Sequence, residues 1–318
     1  MTANGSIILC PGQGAQVVGM GRAWYEVSAA ARATFDEADE ILADQLGAKL
    51  SELCFNGPAD RLNMTDVSQP AIYTCSVACM RGLLEGDEPM NVLATAGLSL
   101  GEYTALHVAG AFDFAAGLKL VTIRGRYMQQ AAEASDGSMV ALIGADESRA
   151  AEVCEQAASG DVLVPANFNA PGQIVLSGHR SACDRAVEAA SRMGLRATAL
   201  TVAGAFHSPL MQPAADAMAE ALANADLHSL KVPVWSNVTA RPHDPEKMEL
   251  LRQRLVEQIV SPVRWSQSCQ DLARPDHFGD ETGYHELAPG TVLRGLMRRI
   301  DRNRKVISHE QPECSPKA

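Results

Sequence analysis

The sequence predicts an α/β protein built on a parallel sheet, with a small ferredoxin-like unit inserted into it. Three observations carry this reading. Short apolar runs alternate with segments of helical periodicity from Ile7 to Ala132. Glycine-bearing turns close the first two of those runs. The middle of the chain then takes the order β-α-β-β-α-β.

Ile7 to Cys10 reads as a buried strand running into the turn Pro11-Gly12-Gln13-Gly14-Ala15-Gln16. Helical patterning follows over Val27 to Leu46 and Ser68 to Leu84. Val92 to Gly97 is a second strand, and Thr104 to Ala109 and Ala115 to Ala132 are helices. In the inserted unit, Met139 to Ile143 is a strand and Glu147 to Ala158 a helix. Val162 to Ala166 and Ile174 to Ser177 are strands joined through the loop Asn167 to Gly172. Ser181 to Met193 is a helix, and Ala197 to Val202 a strand. Beyond it come a helix over Pro213 to Asn224, a strand over Val232 to Ser236, and helices over Glu246 to Ile259 and Thr291 to Ile300. The large unit therefore takes residues 1–134 and 204–302, the insertion takes 135–203, and 303–318 read as a frayed polar tail.

Composition narrows the function. A chain of 318 residues, 47% hydrophobic and 20% charged, is large enough to bury a core unaided. No stretch approaches the roughly 18 apolar residues of a spanning helix. Met1 to Cys10 has no basic region ahead of a long apolar one. The expected location is cytoplasmic, or an organelle after loss of a transit peptide. The net charge of -11 and the lack of a basic, aromatic-studded stripe argue against nucleic acid. The basic cluster Arg294, Arg298, Arg299, Arg302, Arg304 and Lys305 reads as a solvated face. Eight scattered cysteines suit buried thiols rather than a disulfide framework. Cys75 and Cys79 lie one turn apart, but no second pair follows at metal-ligand spacing, so no metal is expected.

The chemistry centres on Gly97-Leu98-Ser99-Leu100-Gly101, a G-x-S-x-G sequence between a strand and a helix. That context is a nucleophile elbow, a sharp turn that lifts a serine hydroxyl at a helix N-terminus. Serine needs a base within hydrogen-bond reach. Of eight histidines, His107, His179, His228, His243, His277 and His309 lie in helical, polar or tail segments with nothing convergent nearby. His207, in the constrained Gly204-Ala205-Phe206-His207-Ser208-Pro209 loop, is favoured as the base, with His285 near Pro289-Gly290 as its rival. Acyl transfer also needs backbone N–H groups facing the developing oxyanion. Leu100, after the nucleophile, supplies one, and the turn at Gln13 is the natural source of the second.

Taken together, these segments resemble the malonyl-CoA:acyl carrier protein transacylase family, which includes the acyltransferase domains of fatty-acid and polyketide synthases. The resemblance runs from about Ile7 to Ile300. It rests on Pro-Gly-Gln-Gly-Ala-Gln at 11–16, Gly-Leu-Ser-Leu-Gly-Glu-Tyr at 97–103, Arg124-Gly125, and Asn-Phe-Asn-Ala-Pro-Gly-Gln at 167–173. Ala205-Phe206-His207-Ser208, Glu257-Gln258, Pro262-Val263-Arg264-Trp265 and Pro289-Gly290 complete the series.

The resemblance implies an α/β-hydrolase-like large domain, with the site in the cleft beside the insertion. It implies ping-pong transfer from malonyl-CoA through Ser99 to the phosphopantetheine thiol of acyl carrier protein, with no cofactor beyond the coenzyme A thioester; the sequence is silent on oligomeric state, and a monomer is the default. Gln13 and Leu100 would form the oxyanion hole, and Arg124 would pair with the malonyl carboxylate. A backbone carbonyl at Gln258 would orient His207. Phe206 is of the malonyl-selecting type, and Asn167 and Asn169 become candidates for substrate contact. The basic cluster near Arg298 becomes a candidate surface for the acidic carrier protein. The chain departs from the family at Leu98, where His is usual, at Ala288, where Gly is usual, and in a longer loop over Arg274 to Tyr284. Two other readings share these features: a serine hydrolase or thioesterase, and a non-catalytic docking homologue.

Overall fold

A computed structural model describes residues 5–86 and 90–312. Cys314 and the last residues of the tail lie outside the described residues. The first sheet has five strands, all paired in parallel, in the order β7-β2-β1-β8-β9. These are β1 (Gly5–Cys10), β2 (Asn91–Gly97), β7 (Val234–Trp235), β8 (Gly283–Glu286) and β9 (Val306–Ser308). Ile7, Ile8 and Leu9 of the central β1 are fully buried, as expected of a strand covered on both faces. The Thr65–Leu84 helix, buried along most of its length, packs against the Phe114–Ala134 helix on one side of this sheet.

The second sheet is antiparallel, in the order β4-β5-β3-β6. Its strands are β3 (Gly137–Ile143), β4 (Leu163–Ala170), β5 (Gln173–His179) and β6 (Arg196–Ala199). The Glu147–Ala158 and Arg180–Arg192 helices cover one face, burying Val140, Leu142, Leu176 and Ile174 against Val153 and Ala186. Alternation along the strands turns Met139 and Val175 the other way, into the main core and the cleft. β4 is tied to the segment between the Met248–Val260 and Trp265–Leu272 helices, where Phe168 N donates to Val263 O (2.9 Å) and Val263 N to Ala166 O (2.8 Å).

Two expectations need correction. The segment Asn167 to Gly172 is not a loop. β4 continues to Ala170, and only Pro171-Gly172 turns, with Gly172 at φ 73°. Irregular register at Pro165/Asn167 and Phe168/Ala170 lets the polar Asn side chains sit in a strand whose edge faces the cleft. Nor are residues 303–312 a frayed tail. Val306–Ser308 adds β9 to the sheet edge, His309 N donates to Glu286 O, and Trp24 Nε1 donates to His309 O (both 2.9 Å). A three-residue strand is too short to announce itself by periodicity. Ending the chain at Arg302 is expected to cost about 3 kcal/mol, from one buried Val and the lost buried hydrogen bonds. Thermal unfolding should then begin several degrees earlier.

Among the described residues, no helix is long and apolar enough to cross a membrane. The seven described cysteines are all free and buried.

Candidate active site

The site grows from the end of β2. Gly97 and Gly101 are required there: a Cβ on Gly97 would lie 1.9 Å from the Gly101 backbone, and one on Gly101 would lie 2.1 Å from Cys10 O. The turn they permit holds Ser99 at φ 53°, a left-handed conformation costly for serine. Asn237, just beyond β7, clamps the turn from both sides. Its Oδ1 accepts from Ser99 N (2.6 Å), and its Nδ2 donates to Gly97 O (2.7 Å).

Ser99 Oγ lies 2.8 Å from His207 Nε2, and His207 Nδ1 lies 2.8 Å from Gln258 O. A backbone carbonyl only accepts, so Nδ1 carries the proton and Nε2 offers its lone pair to the serine. His207 is itself held at φ 56° in its loop. Burial, reinforced by the positive charge of Arg124, pushes its pKa down to about 4 against the smaller opposing pull of the Gln258 carbonyl. The imidazole is therefore neutral, and able to take a proton, at any ordinary pH. For the free enzyme, kcat/KM for acylation of Ser99 is expected to stay flat from about pH 8 down to 6 and to fall only on approach to pH 4. A pH–rate profile checks this. The same shift bears on stability. An unfolded imidazole takes its proton near 6.5 and the folded one only near 4, so stability is lost as pH falls through that window.

The rival His285 stands on β8, stacked on His309 with Nδ1 to Nε2 at 3.0 Å, and does not line the cleft.

Arg124 reaches the serine from the Phe114–Ala134 helix. It is 1% exposed, and among the described residues its hydrogen-bond partners are all neutral. Its Nη1 donates to Gln69 Oε1 (2.8 Å), and its Nη2 to Gln258 Oε1 (2.9 Å) and Ser99 Oγ (3.1 Å). The Tyr103 ring lies 5.5 Å from the guanidinium carbon. A cation buried among neutral partners keeps its charge uncompensated, at a cost in desolvation.

The cleft is a cavity of about 710 Å³ between the two sheets, lined among others by Gln13, Ser99, Asn167, Asn169, Phe206 and His207. Every candidate residue except Leu100, Arg124 and Gln258 thus faces it directly, and those three back the serine. Among the described residues, the backbone N–H groups of Gln13 and Leu100 have no protein acceptor, leaving both free to donate to a bound oxygen. Leu98 lines the same cavity and packs on the core of the parallel sheet.

Sequence reading missed Gln69, Asn237, Glu102 and His243, and the side-chain role of Gln258. Gln69 and the Gln258 side chain bracket Arg124, and a polar residue in the apolar Ser68 to Leu84 stretch was the available signal for the first. Asn237 had no local signal, because its partners lie about 140 residues away. Glu102 and His243, 2.7 Å apart, are both buried. His243 and His309, with nothing convergent around them in the sequence, are both buried against side chains from other segments. The basic cluster divides. Arg304 is tied to Ala273 O and Asp280, whereas Arg298 and Arg299 are exposed on the Val292–Ile300 helix, whose Val292 and Leu296 reach the cavity.

The chain resembles known proteins over nearly all its length. The acyl transferase domain family model matches residues 7–298. The malonyl CoA-acyl carrier protein transacylase of Bacillus subtilis is 40% identical over 307 residues, covering 96% of this chain and 93% of that protein. The crystal structure of acyl-carrier-protein-S-malonyltransferase from Bartonella henselae superposes with a TM-score of 0.90 at 39% identity, covering 97% of this chain and 96% of that one. A malonyl-transacylase solved in complex with a type II polyketide-synthase acyl-carrier protein gives a TM-score of 0.88 at 34% identity, over 96% of each chain. With a serine on a glycine-framed elbow, a neutral histidine facing it and a buried arginine behind it, the chain belongs to the acyl transferase domain family.

Proposed function

We propose that this chain carries a malonyl group from malonyl-CoA to the phosphopantetheine thiol of an acyl carrier protein, by way of an ester on Ser99. The observation that carries the reading is the buried Arg124, without a carboxylate hydrogen-bond partner among the described residues and 3.1 Å from Ser99 Oγ. It pairs with the free carboxylate of the acyl group, presenting a planar fork that stays charged when desolvated. The names of the relatives support the same substrate and acceptor.

In the first half-reaction His207 Nε2 takes the proton from Ser99 as its Oγ attacks the thioester carbonyl. The oxyanion is met by the N–H groups of Gln13 and Leu100, and coenzyme A leaves with the proton held on His207. In the second, the carrier's thiol gives its proton to His207 and attacks the ester, and Ser99 regains a proton as it departs. The scheme closes with side chains and backbone alone, so the reading includes no cofactor beyond the thioester. Phe206 occupies the wall beside His207 and disfavours an α-methyl on the acyl group, and Asn167 and Asn169 line the approach for the pantetheine arm.

The parallel-sheet part, residues 1–134 and 204–302, is read as α/β-hydrolase-like, and 135–203 as a ferredoxin-like insertion whose β4-β5-β3-β6 order fits that type. The enzyme is placed in the cytoplasm as a monomer. Arg298 and Arg299, exposed beside the cleft, are read as meeting the acidic carrier.

Intact-protein mass after brief exposure to malonyl-CoA, acetyl-CoA and methylmalonyl-CoA tests the reading. Malonylation that outpaces the other two, and is discharged by holo carrier protein, is the expected result. Steady release of free malonate without carrier protein would make the chain a hydrolase, and no adduct at all would make it a docking homologue.

A further inference from the structure

One buried acid in the site takes no part in the steps above. Glu102 is 1% exposed and sits on the first turn of the Gly101–Val108 helix, directly behind the serine. Its Oε2 accepts from Gln258 Nε2 (2.6 Å) and from Asn237 N (3.2 Å), and its Oε1 accepts from His243 Nε2 (2.7 Å). We propose that His243 and Glu102 form a positioning pair that fixes the orientation of the Gln258 amide, and through it the carboxylate-binding fork of Arg124. The inference rests on the reading of Arg124 as the malonyl site.

The argument is one of donors and acceptors. Gln258 Nε2 donates to Glu102 Oε2 and to Ser99 O (3.0 Å), two groups that accept. That leaves Oε1 facing Arg124 Nη2 at 2.9 Å. Turned the other way, the amide would set its oxygen against two acceptors and its N–H groups against a guanidinium that can only donate. The choice holds only while Glu102 is itself held. His243 pins the second carboxyl oxygen, and its own backbone is anchored by His243 N to Val234 O (2.8 Å). Without the imidazole, Oε1 is a buried acceptor with no donor and the carboxyl group can turn, releasing Gln258. The guanidinium then loses one of its two neutral amide partners and the aim of its fork.

An acetyl group has no carboxylate to present, so the effect is selective. His243→Leu is expected to lower kcat/KM for malonyl-CoA about tenfold while changing that for acetyl-CoA less than about threefold. His243→Gln, which keeps a donor, should restore the ratio. Rates of Ser99 acylation by each thioester, read by intact mass alongside thermal unfolding, decide it, with Arg124→Ala measured in parallel. Should His243→Leu fail to fold, the isosteric Glu102→Gln is read by the same ratio. If Arg124→Ala collapses the malonyl-to-acetyl ratio and the His243→Leu ratio stays at wild type, the pair's role is refuted and the Arg124 reading stands. An equal loss for both thioesters refutes it in the same way. A ratio unchanged even in Arg124→Ala removes the Arg124 reading, and this inference with it.

Discussion

Ser99→Ala is expected to fold normally, to bind malonyl-CoA, and to form no covalent adduct, with transfer to carrier protein falling by about 10⁴-fold or more. The serine lies at φ 53° and alanine is no easier to place there, so the elbow keeps the same strain. The clamp that sets the turn uses Ser99 N and Gly97 O, both backbone atoms that survive the change. The loss is therefore confined to Oγ, which accepts from Arg124 and faces His207 Nε2. Intact mass on the variant, with circular dichroism to verify folding, reads both parts. An adduct that persists would mean that another group carries the acyl chain.

Arg124→Ala is expected to lower malonyl transfer by about 10²–10³-fold, the range found when one partner of a buried charged pair is removed. Acetyl-CoA should lose far less. Arg124→Lys should recover only part of the loss, since an ammonium cannot present two parallel donors. The variant is also expected to be as stable as the parent or more so, because it removes a buried cation whose partners are neutral. A third effect has a definite sign. The positive charge of Arg124 helps hold the His207 pKa down near 4, so its removal raises that pKa towards 6.5. The acid limb of the acetylation rate should move to higher pH. An Arg124→Ala enzyme that loses stability and acts equally poorly on both thioesters would mark the residue as structural.

Local chemistry was legible in the sequence, and chemistry assembled from afar was not. Ser99 could be read because Gly97 and Gly101 stand at fixed offsets around it, and the sterics that demand them are local. His207 stood out from the other histidines by its constrained loop, but it joins Ser99 across 108 residues, so spacing alone could not dismiss His285. Arg124 looks like any arginine of an amphipathic helix, and only the family resemblance drew attention to it. Asn237, Glu102 and His243 meet through contacts spanning about 140 residues, which no window along the chain contains. The parallel sheet followed from its buried runs, whereas β8 and β9, at four and three residues, owe their existence to neighbours already in place.

The backbone carbonyl behind His207 sets the two half-reactions apart. A carboxylate there would steady the imidazolium and make the imidazole a stronger base; a neutral carbonyl, with a guanidinium close by, leaves it weak. A weak base is enough for a thiol, whose own pKa is about 8.5. The Ser99 hydroxyl is no more acidic than water, so its activation draws on the Arg124 Nη2 donor on its oxygen as well as on His207, and attack by a thiol makes the second half-reaction the less demanding of the two.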